Sequence, residues 1–390
     1  MNGPVRGDQV ARPPREAATV DRRPSRQVSI GGVTVGGDAP VRVQSMTTTK
    51  THDAEATLAQ IGRLADNGCE LVRVAVPFDE DAAALPEIAR RSPIPVIADI
   101  HFTWRHALDA LEAGIPGLRV NPGTIGDRKR VKLIADEAKA RGVPIRIGVN
   151  AGSLDPELLR RYGYPSAEAL VESALRETAA LEEHGFTDIK VSVKSEDVRM
   201  CVAAYRMLAE ACDYPLHLGV TEAGPPPQGV VKSAIALGTL LLEGIGDTLR
   251  VSLTAPPEEE AVIGWEILKA VGLRRRGVEI VACPSCGRAE VDVFALTRAV
   301  QDRAGEIPEG MKVAVMGCPV NGPGESRGAD VGIAAGMHQG LLFVGGKSVA
   351  RFKEDELVDA LIAAAREHHA GRDDPDGNGS QDGAGGGGSP

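Results

Sequence analysis

Between Val41 and Leu273 one unit recurs: a short β-branched run, a polar or Gly/Pro turn, then an apolar-periodic helix of about three turns or more. The strand-like runs are VRVQSM (41–46), LVRVAVP (71–77), IPVIADIH (94–101), GLRVNPG (117–123), PIRIGVNAG (144–152), DIKVSVKSED (188–197), PLHLGVTEAG (215–224) and DTLRVSLT (247–254). Helical segments such as RKRVKLIADEAKARG and EALVESALRETAALEEHG follow them, several ending at Gly as a helix C-cap does. Eight such units match a (β/α)8 barrel in count and length. An open doubly wound sheet is the alternative, but the repeat closes at eight. The expected fold class is therefore α/β, with an N-terminal TIM barrel over 27–273 and a small α/β domain after it.

Parity along the strands adds function to this frame. Arg119 and Asn121 share a parity, as do Arg146, Gly148 and Asn150; Lys190, Ser192 and Lys194; His217, Gly219 and Thr221; and Arg250, Ser252 and Thr254. One parity of a barrel strand faces the interior. Facing the outer helices instead, these polar groups would be buried without obvious partners. Facing inward, they converge on the C-terminal mouth, where barrel enzymes carry their active sites.

From Gly277 the pattern changes to strand (VEIVAC), helix (AEVDVFALTRAVQDRAG), strand (MKVAVMG), a Gly-rich stretch with GLLFVGG, and a final helix (EDELVDALIAAAREHH), giving a second domain over 277–369. VACPSCGR sets Cys283 and Cys286 in C-x-x-C spacing at a strand end, and Cys318 ends the next strand in MGCPVNGPGE. If those strands lie side by side, three thiols meet at one edge and can hold one metal centre. Zinc would want a fourth Cys or His, and His338, His368 and His369 have no finger spacing. A cubane iron–sulfur cluster would accept three Cys and leave one iron for an oxygen ligand. Glu325, after a stiff N-G-P-G turn, is the candidate. Cys69, Cys201 and Cys212 have no partner spacing and read as small packing residues. GLLFVGGKS resembles a phosphate loop, but its glycine spacing is one residue too long.

Composition narrows the partners. The chain has a net charge of −10 and only 3% aromatic residues, which disfavours nucleic acid and anionic membranes. The longest candidate span, near Ser233–Ile245, is short and broken by Gly238, Glu243 and Gly244. Six unevenly spaced cysteines fit a reducing cytoplasm better than a disulfide framework. Residues 1–26 lack an apolar signal core, and 370–390 are rich in Gly and Asp. Both are expected to be disordered arms.

CPSCGR and GCPVNGPGE, with VRVQSMT, RVNPG, RIGVN, SVKS and LHLGVTEAG, resemble bacterial 4-hydroxy-3-methylbut-2-enyl diphosphate synthase from about Arg26 to Arg366. The resemblance implies a [4Fe-4S] cluster on Cys283, Cys286, Cys318 and Glu325. It also implies a homodimer in which one subunit's cluster caps the other's barrel, and flavodoxin or ferredoxin as electron donor. The reaction implied is two-electron reductive ring opening of 2-C-methyl-D-erythritol 2,4-cyclodiphosphate with loss of water, in the methylerythritol phosphate route to isoprenoids. Arg119, Arg146, Lys194 and Arg250 are the expected diphosphate-binding cations, with Arg42 and Arg73 as additions from early in their strands. Asn121, Asn150 and Ser252 are expected donors, Asp99 and His217 orienting groups, and Glu222 the proton donor to the departing hydroxyl. His52, His101 and Glu196 are expected to make ordinary strand-end hydrogen bonds. A zinc-dependent barrel hydrolase of a phosphorylated substrate and a non-enzymatic iron–sulfur electron carrier are the competing readings. The carrier leaves the cationic mouth unexplained.

Overall fold

A computed structural model describes residues 20–101, 103–318 and 322–373. The chain divides into two compact units between Arg274 and Arg275. The arm through residue 19 and the tail beyond 373 lie outside the described residues.

The first unit opens with an antiparallel hairpin of β1 (Val28–Ile30) and β2 (Val33–Val35). Eight parallel strands follow: β3 (Arg42–Met46), β4 (Leu71–Ala75), β5 (Val96–Asp99), β6 (Gly117–Arg119), β7 (Ile145–Asn150), β8 (Ile189–Lys194), β9 (His217–Leu218) and β10 (Thr248–Leu249). Their order is β8-β7-β6-β5-β4-β3-β10-β9, and a parallel bridge from Val191 to Leu216 brings β8 back against the chain entering β9. Every run expected to be a strand contains one, so the TIM barrel stands.

Local chemistry sets the boundaries of the barrel helices. Asp53, Asp127 and Asp197 each accept a backbone N–H as N-cap residues. Outward-facing apolar side chains such as Val74, Ala98, Ile147 and Val191 join the helices in one core. At the N-terminal end of the barrel, Val28, Ile30 and Val35 of the hairpin cluster with Leu71 and Ile97. A Cβ on Gly117 would meet Ile30 at 3.1 Å and Ile97 at 3.0 Å, so the hairpin packs tightly onto that end. The apolar hairpin closes the floor.

The arm expected to be disordered through Arg26 is anchored from Arg22 onward. Arg22 Nη2 and Ser25 Oγ both donate to Asp247 Oδ1 at 2.9 Å, while Asp247 Oδ2 accepts the Leu216 backbone N–H at 2.7 Å. Arg23 donates its backbone N–H to Gly244. These partners are far away in sequence, which is why the polar composition reads as loose chain.

The second unit is a sheet in the order β11 (Glu279–Ala282), β12 (Lys312–Met316), β13 (Val331–Gly336), β14 (Gln339–Val344) and β15 (Lys347–Lys353). The first three strands are parallel, and the last two continue as an antiparallel meander. The Gly-rich stretch is therefore strand and hairpin: Gly332 and Gly340 lie where a Cβ would press on neighbouring side chains, as a well-packed strand glycine does. Helices Val293–Asp302 and Leu357–Asp373 complete the unit, the latter running past the expected boundary at 369.

Candidate active site

The interior parity of the strands delivers a set of buried cations. Arg119, Arg146, Lys190 and Lys194 are at most 6% exposed. Arg73 and Arg250 stand beside them, with side chains 13% and 17% exposed. Arg73, expected as an addition from early in its strand, belongs to this group. Arg42 does not: it turns to Glu70 and the Thr34 carbonyl near the hairpin.

The carboxylates that ion-pair with this set are Asp99 and Glu260. Asp99 meets Arg73 Nε and Arg119 Nη1, each at 3.2 Å. Burial opposes its ionisation, but Arg73, His101 and Arg119 overcome that and hold its carboxyl well below the usual range. His101 therefore belongs to the site as well, within 3.2 Å of Arg119 Nη1. Glu260 arrives from the helix Pro257–Ala270 and accepts two N–H groups of Arg250 at 3.1 and 3.2 Å. Ser45 Oγ donates to the same carboxylate at 2.9 Å. Sequence reasoning missed Glu260; its signal was an acidic triplet opening the helix after the last barrel strand.

Positive charge is left without full compensation. The Nε atoms of Arg119 and Arg146 and the Nζ of Lys190 are buried and have no hydrogen-bond partner among the described residues. Burial, then neighbouring arginines, pushes Lys194 well below the usual lysine range. Burial with Arg146 alongside does the same to Lys190. Burial likewise lowers Arg73, to about 10, despite Asp99. Lys190, the second residue of β8, lines a small cavity with Ile30, Ile97 and Gly117 at the floor, while the unmatched donors of Arg119 and Arg146 have the chemistry to receive an anion.

His217 is fully buried between Thr248 and Lys194. Its Nδ1 lies 2.8 Å from Thr248 Oγ1 and its Nε2 3.4 Å from Lys194 Nζ. Desolvation and Lys194 hold the ring well below its ordinary pKa. A neutral Nδ1–H tautomer satisfies both contacts, so the ring steers Lys194. Gly148 and Gly219 keep the interior open. A Cβ on Gly148 would come within 3.0 Å of both Arg119 Nε and Arg146 Nη1, and one on Gly219 would collide with Lys194 Nζ.

Four expected residues differ in setting. Asn121 is tied to the Gly148 backbone at 2.8 and 2.9 Å, donating to its carbonyl and accepting its N–H, so it locks β6 to β7 instead of presenting a free amide. Asn150 and Ser252 are half-buried at and beyond the ends of β7 and β10. Glu222 is exposed in the loop beyond β9 and adopts φ 50, a left-handed conformation costly for a side-chain-bearing residue.

In the second unit Cys283 and Cys318 follow adjacent parallel strands, with Cys283 N–H donating to Val315 O at 3.2 Å. Cys286 is exposed, one residue beyond Ser285 at φ 56. Glu325 is exposed in the short helix Gly322–Ser326, not in an open turn. Cys283 and Cys318 thus stand at the same end of neighbouring strands, and Cys286 follows in the loop after Cys283. Among the described residues no three His, Cys, Asp or Glu side chains are gathered as a closed metal site. The other cysteines are packing residues: burial pushes the Cys69 thiol up to about 12 and Cys201 up to about 11.

Comparison with known proteins shows the family. Residues 25–265 match the family described as GcpE TIM-barrel domain, and residues 279–367 match the GcpE protein C-terminal domain. A protein of Salinispora arenicola called 4-hydroxy-3-methylbut-2-en-1-yl diphosphate synthase (flavodoxin) is 60% identical, with 88% of each chain covered. A protein of the same name in Acidothermus cellulolyticus is 57% identical over 90% of each chain. In Streptomyces coelicolor, 4-hydroxy-3-methylbut-2-en-1-yl diphosphate synthase (flavodoxin) 2 is 57% identical, covering 88% of this chain and 90% of that one. A barrel and a smaller sheet domain matched in order, with identity of this level along nearly the whole chain, establish that this protein belongs to the GcpE family.

Proposed function

We propose that the barrel mouth binds 2-C-methyl-D-erythritol 2,4-cyclodiphosphate and that the protein reduces it to 4-hydroxy-3-methylbut-2-enyl diphosphate. In this reaction of the isoprenoid pathway, two electrons and two protons enter, one phosphate C–O bond of the ring breaks, a carbon–carbon double bond forms and one water leaves. The observation that carries the reading is the interior cation cluster with unmatched buried donors on Arg119 and Arg146. A diphosphate supplies the missing acceptors. The relatives' names support the same product and a flavodoxin as electron donor, and nothing in them favours a zinc hydrolase.

In this reading Arg119, Arg146, Lys194 and Arg250 bind diphosphate oxygens, and Arg73 adds a cation held in place by Asp99. Asn150 and Ser252 donate to hydroxyl or phosphate oxygens, while Asn121 and His217 position their neighbours. Glu222 gives its proton to the departing hydroxyl. Cys283, Cys286 and Cys318, with Glu325, fit a [4Fe-4S] cluster in donor type, and Cys283 and Cys318 follow adjacent strands; when bound, such a cluster would supply the electrons singly.

A homodimer is part of the same proposal. The helix Gln228–Leu242 leaves Val231, Ile235 and Leu242 exposed at 54%, 53% and 61% along one face, an apolar stripe suited to a second copy. A cytoplasmic setting is also part of the proposal; among the described residues no helix is long and apolar enough to cross a membrane.

The deciding experiment is iron and sulfide analysis with paramagnetic-resonance spectra of anaerobically purified protein, before and after adding the cyclic diphosphate. We expect about four iron and four sulfide per chain and a substrate-perturbed signal after reduction. A colourless protein with stoichiometric zinc would sink the redox reading. Glu222→Gln should keep the cluster spectrum and lose at least about 100-fold in turnover; near-normal turnover removes Glu222 from the mechanism.

A further inference from the structure

Met46, the last residue of β3, lies between two of the mouth cations. It pairs in register with Arg73 on β4, and β3 also pairs with β10, which leads into Arg250. Its Sδ lies 3.2 Å from Arg73 Nε, 3.0 Å from Arg73 Nη2 and 3.7 Å from Arg250 Nη1. Each guanidinium has a carboxylate elsewhere: Arg73 Nε faces Asp99, and Arg250 Nε and Nη2 face Glu260. The sulfur therefore receives N–H groups from two like charges that repel one another, including nitrogens that these carboxylates leave unmatched.

We propose that Met46 is a positioning residue for anion binding, a neutral acceptor that holds Arg73 and Arg250 apart and open to the mouth without cancelling their charge. Thioether sulfur is polarisable and a weak acceptor. A carboxylate at this position would pair with both arginines and compete with the substrate's phosphates. A branched alkyl side chain would offer no acceptor, and the freed guanidiniums would fold further onto Asp99 and Glu260. A soft, uncharged acceptor resolves this conflict: it orders the donors while leaving their charge available to a dianion. The inference rests on the reading of the mouth as a diphosphate site and adds a determinant of its charge selectivity.

The test uses the full-length holoenzyme, with cyclic diphosphate binding followed by calorimetry and KM and kcat measured separately. Met46→Leu should weaken binding and raise KM about tenfold with kcat and the cluster spectrum unchanged, the loss of weak charged hydrogen bonds. Met46→Gln, which restores a neutral acceptor, should recover affinity to within about threefold of the parent, and Met46→Glu should lose about 100-fold. Equal affinities in the Leu and Gln proteins would overturn the proposal and leave Met46 as packing. Should the Leu protein fail to fold, equal affinities in the Gln and Glu proteins would overturn it just as firmly. Arg73→Met and Arg250→Met separate the two levels. If they bind like the parent, the diphosphate reading of the mouth has failed; if they lose affinity while Met46→Leu does not, only the role of Met46 has failed.

Discussion

Lys194 sits where water would have to be excluded for a diphosphate to be gripped, and its ammonium is disfavoured there by burial first and by Arg146, Arg73 and Arg250 next. A phosphate oxygen arriving at Nζ reverses that balance, so ligand binding should draw a proton from solution. Calorimetry at pH 8 in buffers of differing ionisation enthalpy should show uptake that disappears in Lys194→Met; equal heats in all buffers would exclude it. His217 gives a second pH effect with a definite sign. Its folded pKa is lowered, so below the ordinary value of 6.5 the unfolded chain binds a proton that the folded one does not. Its stabilising share is full above that value and falls as pH drops, by up to about 1.4 kcal/mol per pH unit. Denaturant titrations at pH 7.5 and 5.5 should show the loss, and His217→Asn should flatten it. Asp99 has the same sign in a lower window, losing its contribution only as pH falls below the ordinary carboxylate range. Arg119, Arg146, Lys194 and Arg250 could be picked out from strand parity because inward polar groups need a reason to be there. Glu260 and Met46 could not: one sits on a helix and the other is apolar, and their importance comes from what they touch.

At the scale of elements, the strand-and-helix repeat was readable because each barrel unit carries its own period and cap. The elements that escaped have their determinants elsewhere. The strands β1 and β2 have three residues each, too short to display alternation. The segment from Arg22 to Ser25 is polar because it binds Asp247 and backbone carbonyls at the far end of the barrel sequence. The β13–β15 meander hides behind glycines that allow close packing. Asp247 is the testable joint: nearly fully buried, it gathers Arg22, Ser25 and the Leu216 N–H on one carboxylate. Asp247→Asn should cost about 2–3 kcal/mol, the penalty for disturbing charged hydrogen bonds at a buried site. Urea unfolding reads this directly, and an unchanged midpoint would show that the segment is not held through Asp247.

For the molecule as a whole, the two units divide the candidate residues: buried cations in the barrel, Cys283, Cys286 and Cys318 in the smaller unit. Cys318→Ser should lower iron content sharply and shift the visible spectrum, while the barrel's helical signal is kept; a normal iron content would remove Cys318 from the donor set. The β1–β2 hairpin has a consequence for turnover. With the interior filled by buried side chains and the apolar hairpin over the far end, the barrel opens at one rim only, and traffic at that rim cannot be one-way. Product must back out past the same rim that admitted substrate, so the two can never queue behind one another. Each departing diphosphate holds the doorway against the next arrival, and product should compete with substrate for the free enzyme at every concentration.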